Sequence, residues 1–275
     1  MTTCPFTERL QQSPRLIGMV HLAALPGTPA ASESPAAIVA RAVAEARVYR
    51  DHGIDTVVVE NMHDVPYTRQ PGPEITAMMT RAATEIRAVG LCVGIQVLAS
   101  ANREALAVAL ASGAEFVRVE GFVYAHVADE GFTDACAGEL LRYRRHIGAE
   151  SIAVLADIKK KHCSHAITAD VSLAETARTA AYFRADGVVV TGIRSGSPVC
   201  PEDLRAVRSA VSCPVLVGSG ATPEALAAVA PSADGIIVGS YVKVDGCWSN
   251  PLDVGRLDAM VRCFAELPRP VRGAR

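Results

Sequence analysis

Eight short runs of β-branched and other apolar residues recur along the 275-residue chain, each followed by a segment of helical period. The runs fall at 16–20, 56–60, 91–97, 116–120, 152–157, 187–191, 215–218 and 235–239. The helical segments fall at 36–51, 74–88, 103–111, 135–147, 173–183, 202–211, 223–229 and 254–264. Strands buried on both faces read as continuous apolar runs, and Val188-Val189-Val190 and Ile236-Ile237-Val238 do. Eight such strands alternating with eight helices is the count of a single closed (β/α)8 TIM barrel, a fold of about 250 residues. An open doubly wound sheet is the competitor, but it carries a Gly-rich fingerprint after its first strand. Here Val20 is followed by His21-Leu22-Ala23-Ala24-Leu25-Pro26-Gly27, which is not that pattern.

Local signals agree with this division. Ser34-Pro35, Gly72-Pro73-Glu74, Cys200-Pro201-Glu202 and Thr222-Pro223-Glu224 put Pro where a helix needs no amide hydrogen. Gly53 and Gly113 stand where a helix hands over to the next strand. No Gly/Ser- or Pro-rich linker interrupts the rhythm. One domain is expected over 14–266, with loose tails at 1–13 and 267–275.

Composition excludes several classes. Half the residues are apolar and the net charge is −2, so disorder is excluded and a nucleic-acid surface is not expected. No apolar run approaches the roughly 20 residues of a transmembrane helix. The eight cysteines form no C-x-x-C pair, and the first residues carry no apolar signal core. Reduced cysteines and a cytoplasmic location are therefore expected.

A barrel of this kind places its chemistry at the C-terminal ends of the strands. Those ends carry His21, Glu60-Asn61, Gln96, Arg118, Glu120, Asp157 with Lys159 and Lys161, Thr191, Ser195, Gly218-Ser219-Gly220 and Gly239-Ser240. The two Gly-Ser turns follow the seventh and eighth runs, the usual phosphate-binding place of the fold. Glycine lets the backbone approach an anion closely. Asn61, Gln96, Arg118, Glu120 and Thr191 are expected to complete the substrate contacts. Asp157, Lys159 and Lys161 are spaced by two, so an extended strand would put all three on one face. A carboxylate beside an amine suits acid–base work, with Glu60 and His21 assisting; a desolvated lysine could also form a Schiff base. A buried Arg118 needs a carboxylate partner, which the sequence does not single out. His21 and Glu60 also leave a divalent metal open, although no metal-binding spacing supports one and no cofactor is expected. No Ser-His-Asp elbow, P-loop or RNA-binding aromatic motif is present.

Taken in order, several segments resemble the BtpA family, also called BtpA/SgcQ. They are Gly18-Met19-Val20-His21-Leu22 with Leu25-Pro26-Gly27, Val59-Glu60-Asn61, Gly72-Pro73-Glu74, Arg118-Val119 and Asp129-Glu130-Gly131. Ala156-Asp157-Ile158 with Lys161-His162, Val217-Gly218-Ser219-Gly220, and Asp234 through Ser240 with Lys243 and Asp245-Gly246 continue the match. The resemblance runs from about residue 14 to 265 and implies the same barrel. The family is named for a role in photosystem I accumulation in cyanobacteria. It also has members in non-photosynthetic organisms, some encoded beside sugar-transport and sugar-catabolic genes. This chain departs from the family pattern at Gln96 and Glu120, where Asn is expected, at Ala99-Ser100, and at Lys159, where His is common. These lie at strand ends, so the ligand is expected to differ from that of typical members.

The expectation is an isomerase, epimerase, aldolase or other lyase acting on a small phosphorylated, sugar-like metabolite. The rival is a non-catalytic assembly or regulatory factor that uses the barrel as a scaffold. Homo-oligomers are the common state of soluble enzymes and are expected here.

Overall fold

The computed structural model describes residues 4–192 and 198–267. Ser195 and the outer parts of both expected tails lie outside the described residues. The chain begins with α1 (Pro5–Gln12), β1 (Arg15–His21), α2 (Pro35–Asp51), β2 (Thr56–Glu60), α3 (Pro73–Arg87), β3 (Cys92–Gln96), α4 (Asn102–Ser112) and β4 (Phe116–Val119). Two short strands, β5 (His126–Ala128) and β6 (Gly131–Thr133), precede α5 (Ala137–His146), β7 (Ala153–Ile158) and a third short strand, β8 (Cys163–Ser164). The rest is α6 (Leu173–Tyr182), β9 (Gly187–Val190), α7 (Pro201–Ala210), β10 (Val215–Val217), α8 (Pro223–Val229), β11 (Gly235–Val238) and α9 (Val254–Glu266). Eight parallel strands close in the order β1-β2-β3-β4-β7-β9-β10-β11 and back to β1, the barrel expected from the rhythm.

Period two governs the strands. Ile17, Met19, Val58, Phe116, Ala153, Leu155, Val189, Leu216 and Ile237 form one buried cluster, the filling of the barrel. The residues between them, such as Val57, Val59, Val117, Val154, Val188 and Ile236, pack in a second cluster with the helices. Gly94 on β3 takes an inner position, and a Cβ there would lie 2.1 Å from the Phe116 ring. The missing side chain is what admits that ring.

The leading segment is not a loose tail. Pro5–Gln12 forms α1, which closes the N-terminal end of the barrel. Phe6 and Leu10 are fully buried, and Phe6 stacks on Phe116 with ring centroids 4.1 Å apart. An ion pair between Arg9 and Glu115 and a Cys4 Sγ hydrogen bond to the Ser151 carbonyl (2.6 Å) fasten the helix. An eight-residue helix with two buried apolar anchors gives almost no periodic signal, which is why the sequence reads as a tail.

At the opposite end, β5, β6 and β8 form a three-stranded antiparallel sheet in the order β6-β5-β8. It joins the loops after β4 and β7. Val127 pairs with both Phe132 and Ser164, so the two loops are held as one wall of the mouth. No helix among the described residues is long and apolar enough to cross a membrane. All eight cysteines are unpaired thiols.

Candidate functional site

Beyond the apolar filling, the next inner position of each strand is polar or glycine. His21 follows Met19, Glu60 follows Val58, Arg118 follows Phe116 and Asp157 follows Leu155. On the other side Gly218 follows Leu216 and Gly239 follows Ile237. Side chains therefore crowd one half of the mouth and leave the other half open. The result is a cavity of about 320 Å³. A Cβ on Gly218 would sit 2.6 Å from Val189 Cγ1 and 3.1 Å from Arg118 Nη2, so the close approach to the guanidinium requires glycine.

Arg118 is the electrostatic centre. It grips Asp157 through two parallel hydrogen bonds, Nε to Oδ1 at 2.9 Å and Nη2 to Oδ2 at 3.0 Å. Burial alone would lower the Arg118 pKa, but Asp157, Glu60 and Glu120 together hold it above its ordinary value. Asp157 is thereby committed as the counter-ion of a buried cation.

Glu60 and His21 lie side by side at the mouth. His21 Nε2 lies 3.4 Å from Glu60 Oε2, and His21 Nδ1 lies 3.1 Å from the Trp248 carbonyl. A carbonyl only accepts, so Nδ1 carries the proton and Nε2 turns its lone pair to Glu60. Burial, aided by the charge of Lys243, pushes His21 down to about 3, so the ring is neutral at pH 7. Lys243 is itself fully buried against Glu45. Burial raises Glu60 to about 7, against the opposing pull of Arg118 and Lys161. Glu60 is thus a carboxyl poised to give or take a proton near neutrality.

A second network lies on the wall of short strands. Lys160 Nζ is 3.3 Å from Glu120 and 3.5 Å from Glu130. Burial disfavours its charge, but Glu120 and Glu130 hold its pKa above the ordinary value. Glu120 also accepts from Ser100 N at 3.0 Å and from Gln96 Nε2 at 3.4 Å. Lys161 differs from its neighbour. Among the described residues no carboxylate lies within ion-pair distance of it. Burial and the charge of Arg118 lower its pKa.

Of the residues expected at the site, His21, Glu60, Gln96, Arg118, Glu120, Lys161, Gly218, Ser219, Gly220, Gly239 and Ser240 line this one cavity. Four do not. Asp157 lies beneath it on Arg118. Lys159 does not share a face with Asp157 and Lys161, because β7 ends at Ile158 and Lys159 has φ +52°. Its Nζ instead donates to the Val171 carbonyl at 2.5 Å. Asn61 follows the inward Glu60 and so points outward. It bonds Asp64 Oδ2 (2.8 Å) and accepts from Leu98 N (2.7 Å), tying two loops together. Thr191 packs behind Gly218, where a Cβ would be 2.9 Å from Thr191 Cγ2. The expected strand extension is thereby corrected, and Asn61 and Thr191 lie outside the lining of this cavity.

The cavity also takes residues the strand ends did not flag: Tyr67, Glu130, Lys160 and Trp248. All arrive on irregular loops, where no periodicity exists to read. Trp248 is the chain's only tryptophan, and its ring lies 4.9 Å from that of His63 and 6.0 Å from that of His21.

On the open side, Ser219 Oγ accepts from Gly192 N at 2.8 Å, which fixes the turn after β10. The N–H groups of Gly220 and Ser240 have no hydrogen-bond acceptor among the described residues. Helix α8 is only seven residues long and Thr222 caps it by accepting from Ala225 N (3.3 Å). Any anion affinity on this side therefore rests on the loop amides and on Arg118 rather than on a helix dipole. Among the described residues no three His, Cys, Asp or Glu side chains are grouped to hold a metal ion.

The architecture and its mouth define a (β/α)8 barrel with a cavity of ionisable groups at the C-terminal ends of its strands. The model of the BtpA family matches residues 12–266, nearly the whole chain. The protein belongs to the BtpA family. An uncharacterized mitochondrial protein of Caenorhabditis elegans is 47% identical over 263 residues, covering 93% of this chain and 95% of that protein. The photosystem I biogenesis protein BtpA of Synechocystis is 34% identical over 254 residues, covering 91% and 88%. Among solved structures, thiamine phosphate pyrophosphorylase from Pyrococcus furiosus superposes with a TM-score of 0.58 at 15% identity. That likeness covers 95% of this chain and 98% of the other, and speaks to the fold.

Proposed function

We propose that the protein is an enzyme of isomerase, epimerase or lyase type that acts on a small phosphorylated, sugar-like metabolite. One observation carries the reading: the buried carboxyl of Glu60, pushed up to about 7 by burial, shares a 320 Å³ cavity with the amides of Gly220 and Ser240, which have no hydrogen-bond acceptor among the described residues. Under it, the phosphate sits against Gly218, Ser219, Gly220, Gly239 and Ser240, with Arg118 behind. Glu60 transfers the proton. Neutral His21 turns Nε2 toward the carboxyl at 3.4 Å, able to accept from its acid form, and is itself held by the Trp248 carbonyl. Isomerisation, epimerisation and aldol-type cleavage all need a positioned acid–base group beside a carbonyl or hydroxyl. The name of the Pyrococcus barrel, thiamine phosphate pyrophosphorylase, supports the choice of a phosphorylated ligand only by analogy of fold. Cytoplasmic location and homo-oligomerisation belong to the same reading. The mitochondrial worm relative makes the location a question for each member.

A thermal-shift screen against phosphorylated sugars, with their unphosphorylated partners as controls, tests the reading. A ligand at 100 times its Kd adds about 2.7 kcal/mol of stability. The expected outcome is a shift confined to phosphorylated compounds, followed by turnover that Glu60→Gln lowers by about 10²- to 10⁴-fold. No phosphate-dependent shift, or full turnover in Glu60→Gln, overturns it. The second reading, an assembly or regulatory scaffold, draws on the exposed neighbours Tyr182 (84%) and Phe183 (46%) and on the name of the Synechocystis relative.

A further inference from the structure

The two adjacent lysines of the cavity have different surroundings. Lys160 is clamped by Glu120 and Glu130 and carries its charge as part of a network. Lys161 lines the same cavity, is partly buried, and among the described residues has no carboxylate within ion-pair distance. Burial and the Arg118 guanidinium disfavour its positive charge, against the opposing pull of Glu60, Asp157 and Glu120. Desolvation beside another cation is the arrangement that turns a lysine into a nucleophile. Glu60, the proton carrier, lines the same space.

Resting on the reading above, we infer that Lys161 is a covalent catalyst which forms a Schiff base with an aldehyde or ketone carbonyl of the phosphorylated substrate. The unprotonated Nζ attacks the carbonyl carbon, the π pair moves to oxygen, and a proton passes from the nitrogen to that oxygen to give a neutral carbinolamine. Glu60 in its acid form protonates that hydroxyl. Water leaves, the C–O bond breaks, and the nitrogen pair forms the C=N bond of an iminium ion. The balance is amine plus carbonyl plus one proton giving iminium plus water. The iminium then accepts the electron pair of an adjacent C–H or C–C bond. Glu60, now a carboxylate, takes the proton released from carbon or from a neighbouring hydroxyl. Hydrolysis of the iminium reverses the first steps and returns the amine. The substrate class narrows to phosphorylated aldoses and ketoses or related carbonyl compounds, and the reaction class to aldol-type lyase or enamine-mediated isomerase.

Reductive trapping decides it. The full-length protein is incubated with glyceraldehyde 3-phosphate or dihydroxyacetone phosphate, treated with sodium borohydride, digested and mapped by mass spectrometry. The expected result is a reduced secondary-amine adduct on Lys161, in large excess over Lys159, Lys160 and the surface lysines. It should disappear in Lys161→Arg and in Lys161→Gln and persist in Lys159→Arg. Circular dichroism and melting confirm that each variant is folded. Absence of an adduct, an adduct spread over many lysines, or one that survives Lys161→Arg overturns the inference. A parallel titration with glycerol 3-phosphate, which has no carbonyl, separates the two levels. Binding without trapping rejects the Schiff base and leaves the phosphate-binding reading standing. Neither binding nor trapping rejects both.

Discussion

The two ends of the barrel are made from the same eight strands and could hardly differ more. At the N-terminal end, Phe6, Leu10 and Phe116 close the bore with apolar rings and chains, and ion pairs such as Arg9–Glu115 and Arg15–Asp55 sit at the partly exposed rim. At the C-terminal end, Arg118, Asp157, Glu60 and Glu120 are buried together around open space. Ionisable groups are costly to bury, so four gathered in one mouth mark it as the candidate functional site. The contrast teaches that packing at one end lets the other carry unfavourable electrostatics.

Substitutions can break that contrast. The largest expected effect is at Asp157. Asp157→Asn removes the charge that balances Arg118 and is expected to cost about 3–5 kcal/mol, while also weakening ligand binding, because the guanidinium loses its orientation. Chemical denaturation and a ligand titration on the same variant check both. Phe6→Ala should cost about 3–5 kcal/mol as well, through a cavity at the closed end. Its ligand-induced stabilisation should equal that of the parent chain, and a changed ligand response would mean that the two ends are coupled.

The pH dependence separates the members of the Glu60–His21 couple. Glu60 is raised from 4.5 to about 7, so between those values the folded state binds a proton that the unfolded state has lost. Its contribution falls as pH rises through that window. His21 is lowered from 6.5 to about 3, so there the unfolded state binds the extra proton. Its contribution falls as pH drops. The two slopes oppose each other between 4.5 and 6.5. Glu60→Gln should expose the His21 slope, with stability rising with pH over that range. His21→Gln should expose the Glu60 slope, with stability falling towards pH 7. Urea melts at several pH values would show either. The smallest effect is on the outer surface, at the exposed pair Arg178–Glu175, 2.6 Å apart on α6. Arg178→Ala should cost no more than about 0.5 kcal/mol and leave binding untouched in the same assays.

How much of this was legible follows from periodicity. The eight strands could be read because burial on both faces makes them continuously apolar, and their ends fell within a residue or two of the observed ones. His21, Glu60, Arg118, Gly218 and Gly239 were legible because each extends an inward series of period two. Asn61 belongs to the opposite parity, and strict alternation would have set it aside. The Asp157–Lys159–Lys161 series failed because it assumed extended backbone beyond Ile158, where Lys159 turns into the left-handed region. Lys160 reaches the mouth through that turn. Trp248 and the cavity position of Glu130 were not legible because both ride on loops, and the helix of Pro5–Gln12 was not because two buried residues do not make a period.

The central claim is that the glycine side of the mouth holds a phosphate group. The single tryptophan, Trp248, lines the cavity, so its fluorescence is expected to respond to occupancy. The most direct measurement is the fluorescence of the parent chain and of Ser240→Asp titrated with glycerol 3-phosphate and with glycerol. The account predicts a saturable change with glycerol 3-phosphate, none with glycerol, and loss of the response when Ser240→Asp places a negative charge on the proposed anion site. An equal response to both compounds, or a response to glycerol 3-phosphate that survives Ser240→Asp, would contradict it.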